Sequence, residues 1–200
     1  MTVEDLWWRW VDRLEERGWG ARRVLRPPAG QDVLVAAFEP VGGVPPELAA
    51  VYRLADGQIG IRDAGGVSTN LFPGYEFLSL AGARRAWQGW ADIRASYAPE
   101  DFDDMITVRG DDPVHRSYTR AAWWPFAEDG GGNHLLLDLD PAPGGTVGQV
   151  IVAGPDEDER RVLAPGFVAY LAALLDADLD DPDPGALAEG VAWWDAPGLR

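Results

Sequence analysis

The residues best placed to do chemistry lie between Trp123 and Pro141, in the stretch WWPFAEDGGGNHLLLDLDP. His134, Asp138 and Asp140 are cation-ligand types at even spacing. Successive residues of an extended strand point to opposite faces, so these three share one face with Leu136, and Leu135, Leu137 and Leu139 share the other. Neighbours on one strand face stand about 6.5–7 Å apart, so Asp138 and Asp140 would have to bend together to hold one ion. The other histidine, His115, is remote in sequence, and there is no cysteine to complete a thiolate site. No metal is expected there. The face suits either contact with water or contact with another molecule.

Other chemistries are no better served. Glu128-Asp129-Gly130-Gly131-Gly132-Asn133 lacks the GK[ST] ending of a phosphate loop and the alternating acids of an EF-hand, so turn formation is its expected role. A glycosidase needs two carboxylates about 5–9.5 Å apart, but among 33 acids some pair meets that distance by chance. Ser117 stands two residues from His115, without a Gly-x-Ser-x-Gly or a convincing acid partner. No catalytic residue and no cofactor is assigned, and the chain is not expected to be an enzyme.

These residues need elements to hold them. The glycines of 130–132 accept positive φ, so Trp123–Ala127 should pair antiparallel with 134–140 as a hairpin. Pro125, lacking an N–H, belongs where that position faces away from the ladder. A helix is expected over 3–17, with Thr2 and Asp5 as a capping box and Gly18 as its stop. Its apolar stripe is Leu6, Trp7, Trp10, Val11 and Leu14. VLVAAFE after Asp32 fits strand or helix equally. Pro46 opens a helix that Gly57 ends, and Ser79 caps another running to Tyr97. APEDFDDM suggests a helical turn and ITVRG a short strand or connection. TVGQVIVAG reads as a strand, RRVLA as a further strand, and Pro165 to about Asp176 as a helix. Leu187, Val191 and Trp194 recur at helical spacing and should dock 183–195 on the domain. The sum is α+β: N-terminal helices, a central antiparallel sheet, and a C-terminal helix packed on it.

The 200 residues suit one domain over 1–200, and 46% hydrophobic content is too high for disorder. No leader pattern and no long apolar run is present, so a cytoplasmic location is expected. Seventeen basic residues, all arginine, against 33 acids give a net charge of −16. Such a field repels nucleic acid and anionic membrane and steers basic partners inward, although acidity also serves solubility. Ten tryptophans occur largely in pairs, from each of which one member could point inward and the other lie nearer the surface.

Three stretches, GGVPPELAAVYRLADGQ, LFPGYEFLSLAGARRAW and WWPFAEDGGGNHLLLDLDPAPGGTVGQVIV, resemble the SUKH superfamily in order and spacing. The resemblance covers about 30–176 and leaves 1–20 and 180–200 as extensions. Val44 stands where the family usually has leucine, and 99–122 has no clear counterpart. The resemblance implies a binding fold. Bacterial members look like immunity proteins that neutralise a toxin, often a nuclease, and fungal members like scaffolds in cell-wall signalling. The expectation is therefore a non-catalytic protein-binding domain acting as an immunity protein that neutralises a cognate basic toxin such as a nuclease, with a cytoplasmic regulatory scaffold or a carbohydrate-binding module as alternatives. The expected contact surface is the hairpin: Trp123, Trp124, Glu128, Asp129, Asn133, His134, Asp138 and Asp140.

Overall fold

Thr2 and Asp5 start the first helix as a reciprocal cap. Asp5 N–H donates to Thr2 Oγ1 at 3.2 Å and Thr2 N–H to Asp5 Oδ2 at 3.0 Å. Helix α1 (Val3–Glu16) buries the five apolar residues of its stripe, and Gly18 follows at φ 76°. The computed structural model describes residues 2–43, 45–98 and 100–200; Val44, the departure from the family pattern, lies outside them. Three short helices come next: α2 (Ala21–Val24), α3 (Gln31–Phe38) and α4 (Pro46–Tyr52). VLVAAFE is therefore helix, burying Leu34, Ala37 and Phe38.

Gly57 lies four residues beyond the α4 cap, Arg53, at φ +75°, where a Cβ would stand 2.3 Å from the Ser79 nitrogen. The chain must close against that backbone, so only glycine fits. Next to it, the buried Gln58 side chain ties three segments. Its Oε1 accepts from Leu71 N–H (3.0 Å) and Phe77 N–H (2.9 Å), and its Nε2 donates to the Thr69 carbonyl.

Strands β1 (Ser68–Thr69) and β2 (Glu76–Phe77) precede the long helix α5 (Leu80–Ser96), capped by Ser79 Oγ on Gly82 N–H. After α6 (Glu100–Asp103) come β3 (Thr107–Val108), β4 (Trp123–Glu128), β5 (His134–Asp138), β6 (Gln149–Gly154) and β7 (Glu157–Ala164). They form one sheet in the order β2-β4-β5-β6-β7-β3. The sheet is antiparallel except at one edge, where β3 runs parallel to β7. About 50 residues separate those two strands, so no tight turn forces them antiparallel. Pro125 is followed by a register irregularity, and β2 pairs only with Ala127 and Glu128, so at Pro125 that side of β4 has no partner strand.

Helix α7 (Phe167–Asp176) packs on the sheet and on α1. Arg13 of α1 donates to the carbonyls of Leu174 (2.7 Å) and Ala177 (2.6 Å), satisfying orphan acceptors where α7 ends. Helix α8 (Pro184–Ala188) then leads to β8 (Val191–Ala192), which pairs parallel with β1. The 183–195 segment docks as expected through Val191 (6% exposed) and Trp194 (1%), but as a helix followed by a strand, with Leu187 at the surface. Trp194 donates its indole N–H to the Asn70 carbonyl and stacks against Trp19, while Trp10 donates to the Leu71 carbonyl. Both terminal extensions are thus part of the main core.

The sheet is buried on both faces. Leu135 and Leu137 join the helices in the main core, and Leu139, just past the strand, is half-buried against it. Leu136 joins Trp123, Ile151, Ala153 and Val114 in a second, smaller cluster. Its cover comes from the 104–122 segment, which supplies Val108 and Val114. The expectation of a water-facing polar side on β5 is corrected here. A partly hydrophilic strand face can be closed by a loop when its buried carboxylate finds hydrogen-bond donors, as Asp138 does.

Candidate functional site

The β4–β5 turn is built by its own polar side chains. Asp129 Oδ1 accepts from Gly131 N–H (2.7 Å) and Asn133 N–H (3.1 Å), and its Oδ2 accepts from Asn133 Nδ2 (2.6 Å). Asn133 Oδ1 in turn accepts from Asp156 N–H at 3.0 Å, joining this turn to the β6–β7 turn. Both residues hold backbone in place, and Asn133 is buried.

Asp138 is fully buried, opposite Trp123 on β4 and Gln149 on β6. Its carboxylate accepts from Asp140 N–H and from Gln149 Nε2, each at 3.1 Å. Burial raises its pKa, and these hydrogen bonds oppose the rise. Asp140 alone of the strand-face trio reaches water, where it pairs with Arg120 at 2.6 Å. Trp123 and Trp124 are both buried, one in each cluster, because both sheet faces are covered. In the other two pairs, Trp7 and Trp194 are buried while Trp8 and Trp193 are half-exposed. An exposed tryptophan anchor on this hairpin is therefore ruled out, and so is Asp138 as a surface charge.

Arg160, also fully buried, fastens the covering loop to β7. Its guanidinium donates to the Ser117 and Tyr118 carbonyls at 3.0 Å each and to the Glu157 carbonyl. Burial lowers its pKa to about 10. Ser117 donates its hydroxyl to Asp103 at 3.2 Å, so its hydrogen bond runs to the acid and not to His115. Among the described residues, no group of three or more His, Cys, Asp or Glu side chains stands together to hold a metal ion, and no helix is long and apolar enough to cross a membrane.

Two of the expected residues, Glu128 and His134, sit opposite each other on β4 and β5 and open onto a groove of about 520 Å³. One wall is α5, where Gly82, Ala86, Gly89 and Ile93 recur at spacings of four, three and four, a single helical stripe. The opposite wall is the hairpin turn with Pro155, and Trp90 and Tyr118 lie between. His134 is 7% exposed, its ring stands edge-to-face on Trp90 at 5.7 Å, and its Nδ1 is buried without a hydrogen-bond partner. Burial drives its pKa down to about 4, against the smaller pull of the Gly132 backbone and the Asp129 charge. The imidazole is neutral at ordinary pH.

Glu128 is half-buried, and its carboxylate makes no hydrogen bond or ion pair among the described residues. Burial raises its pKa, the approach of Arg85 counteracts this, and Asp129 adds to it. Glu76 stands directly opposite on β2 and is raised in the same way, by burial first and by Glu128 among lesser causes. Sequence reading placed Glu128 and His134 here but missed the α5 wall. The small-residue stripe was visible in GARRAWQGWADI, but small residues on a helix more often mark close packing than a groove.

Residues 35–173 match the family model described as the SMI1/KNR4 family (SUKH-1), close to the span over which the sequence resembles that superfamily. The chain is 27% identical over 177 residues to "Cell wall biosynthesis/cell cycle regulator smi1" of Schizosaccharomyces pombe, covering 84% of this chain and 34% of that protein. It is 24% identical over 196 residues to "Cell wall assembly regulator SMI1" of Saccharomyces cerevisiae, covering 84% of this chain and 39% of the relative. A shorter match, 38% over 63 residues, covers 32% of this chain and 12% of a "Glucan synthesis regulatory protein" of Neurospora crassa. The chain thus spans little more than a third of the relatives it matches most fully, and it belongs to the SMI1/KNR4 family (SUKH-1).

Proposed function

We propose that this chain is a non-catalytic regulatory domain that works by forming a stoichiometric complex with another protein. The observation that carries the reading is the family match together with relatives, aligned over 84% of this chain, that are named as regulators of cell-wall biosynthesis or assembly. The α5–hairpin groove supports it physically. An open trough with an apolar floor and two charged residues at its rim is suited to a protein segment, since apolar contact supplies affinity and rim charge supplies selectivity. The test is capture of a partner by the tagged chain, followed by reconstitution from purified components. A saturable complex of fixed stoichiometry, with neither protein chemically altered, is expected. Chemical turnover of the partner, or no complex on reconstitution, would overturn the reading.

A second reading is neutralisation of a basic toxin, and the observation favouring it is the charge of −16. Seven arginine–carboxylate pairs among the described residues tie up arginines and leave most acids unneutralised. A captured partner that is basic, toxic when expressed alone and harmless when co-expressed with this chain would select this reading over the first.

A further inference from the structure

Among the described residues, the groove between α5 and the hairpin turn holds two polar groups without a well-formed hydrogen bond. Glu128 presents a half-buried carboxylate with no hydrogen bond or ion pair among the described residues; Glu76 stands opposite it on β2, and Asp129 adds negative charge. His134 closes the same wall with Nδ1 buried and unpartnered. A protein normally pairs such groups internally or leaves them to water, because an unsatisfied buried polar atom destabilises the fold. Here both line one trough whose floor is apolar, and the one cation lining it among the described residues, Arg85, approaches Glu128 without forming an ion pair.

We infer that this groove is the docking site for a partner protein segment that presents an arginine or lysine to Glu128 while its neighbouring residues cover Ala86, Trp90 and Ile93. The proposal rests on the protein-binding reading and names the chemistry of the partner at this site. Charge complementarity sets the sign. Among the described residues Glu128 is the carboxylate that lines the groove, with Glu76 opposite it on β2 and Asp129 next in the turn, and a basic side chain on Glu128 offsets the repulsion among them. Its aliphatic stem would lie on apolar surface in the way long basic side chains usually do. The small residues of α5 let a backbone approach closely. At Gly89 a Cβ would meet nothing within 4 Å, so the space above it is open. Arg85 then acts as an internal competitor for Glu128, giving way as the partner's cation arrives.

That competition supplies the test. Short synthetic peptides, identical except for a central Arg, Lys, Gln or Glu, are titrated into the full-length labelled chain and followed by NMR. The Arg and Lys peptides should shift the amides of Gly89 and Gly132, the Trp90 indole and the His134 ring, and the Glu peptide should not. Glu128→Gln, which keeps side-chain shape, should weaken the Arg peptide about threefold to tenfold. Arg85→Ala should strengthen it about twofold to threefold by removing the competing cation. Gly89→Leu should raise the melting temperature, since leucine is the better helix former, yet abolish binding by filling the trough. Equal binding of Arg and Glu peptides, a tighter Glu peptide, or an Arg peptide indifferent to Glu128→Gln would overturn the proposal. The two readings can fail separately. A reconstituted partner complex that keeps full affinity with Glu128→Gln and Gly89→Leu removes this site but leaves protein binding standing. Absence of any stoichiometric partner removes both.

Discussion

Acidification should destabilise this chain through one imidazole, and the size of the effect follows from where that ring sits. His134 stands edge-to-face on Trp90, opposite Glu128 and Ala153, with Asp129 nearby. Burial lowers its pKa to about 4 from an ordinary 6.5. Above pH 6.5 the ring is neutral in both folded and unfolded chains, and no proton is taken up on unfolding. Between the two values the unfolded chain binds a proton that the folded chain refuses, so stability falls by about 1.4 kcal/mol per pH unit. The loss should reach roughly 2 kcal/mol at pH 5 and about 3 kcal/mol near pH 4. Glu76, Glu128 and Asp138 work the other way. Burial raises their pKa values, so their ionised forms weaken the fold, and protonation as pH falls relieves it. The total pH profile therefore mixes signs, and a substitution is needed to isolate the imidazole. His134→Phe keeps a ring against Trp90 and removes both the titration and the unpaired nitrogen, so at neutral pH it should be close to neutral or stabilising. Urea unfolding of both proteins from pH 7.5 to pH 4.5 should show the gap widening by about 2.5 kcal/mol in favour of the variant. A gap that stays constant across this range, or an NMR titration of the His134 ring centred near 6.5, would refute the reasoning.

Asp138→Ala should cost about 2–4 kcal/mol in urea unfolding, because it strands the Asp140 N–H and removes one of the Gln149 amide's two acceptors. Asp140→Ala removes only an exposed pair with Arg120 and should cost under about 1 kcal/mol. Leu136→Ala should cost about 2–5 kcal/mol, comparable with Leu137→Ala, since each is buried in its own cluster; a much smaller cost for Leu136 would show that its face is wet. Arg160→Met leaves the Ser117 and Tyr118 carbonyls without their donor, so amide exchange across 114–120 should quicken while β5 and β6 stay protected. Trp194→Ala should destabilise the whole fold by about 3–5 kcal/mol, whereas a frayed tail would tolerate it.

Much of the fold was legible because local signals agreed with one another. Thr2 with Asp5, Ser79 before α5, and the glycines of the hairpin turn act through their nearest neighbours, and each does what its chemistry suggests. Leu135 and Leu137 were placed correctly because one strand face always met the helices. The failures lie where a distant segment decides. Asp138 looks like a surface residue until the 104–122 loop is laid over its strand face, and His134 until Trp90 of α5 stands against its ring. That loop has no periodic pattern, and it is held by Arg160 bonding to backbone carbonyls, which leave no mark in a sequence. VLVAAFE could not be assigned from periodicity, because a short apolar run suits a buried strand or a buried helix. The parallel β3 edge was equally hidden, since it depends on how α5 and α6 return the chain to the sheet.

The candidate site was half legible. Glu128 and His134 come to one region because the hairpin turn joins them, but the same hairpin reading placed Trp123, Trp124 and Asp138 on a contact surface that both sheet faces in fact bury. The other wall belongs to α5, far away in sequence, and only the tertiary fold brings Gly89 and Trp90 opposite the hairpin turn.

The most direct test of the account is amide exchange on the full chain, alone and in a complex reconstituted with its captured partner. Slowed exchange should concentrate in 82–93 and 128–134 and disappear, with the complex itself, in the Gly89→Leu chain. Protection that falls elsewhere, or a complex that survives the filled groove intact, would contradict it.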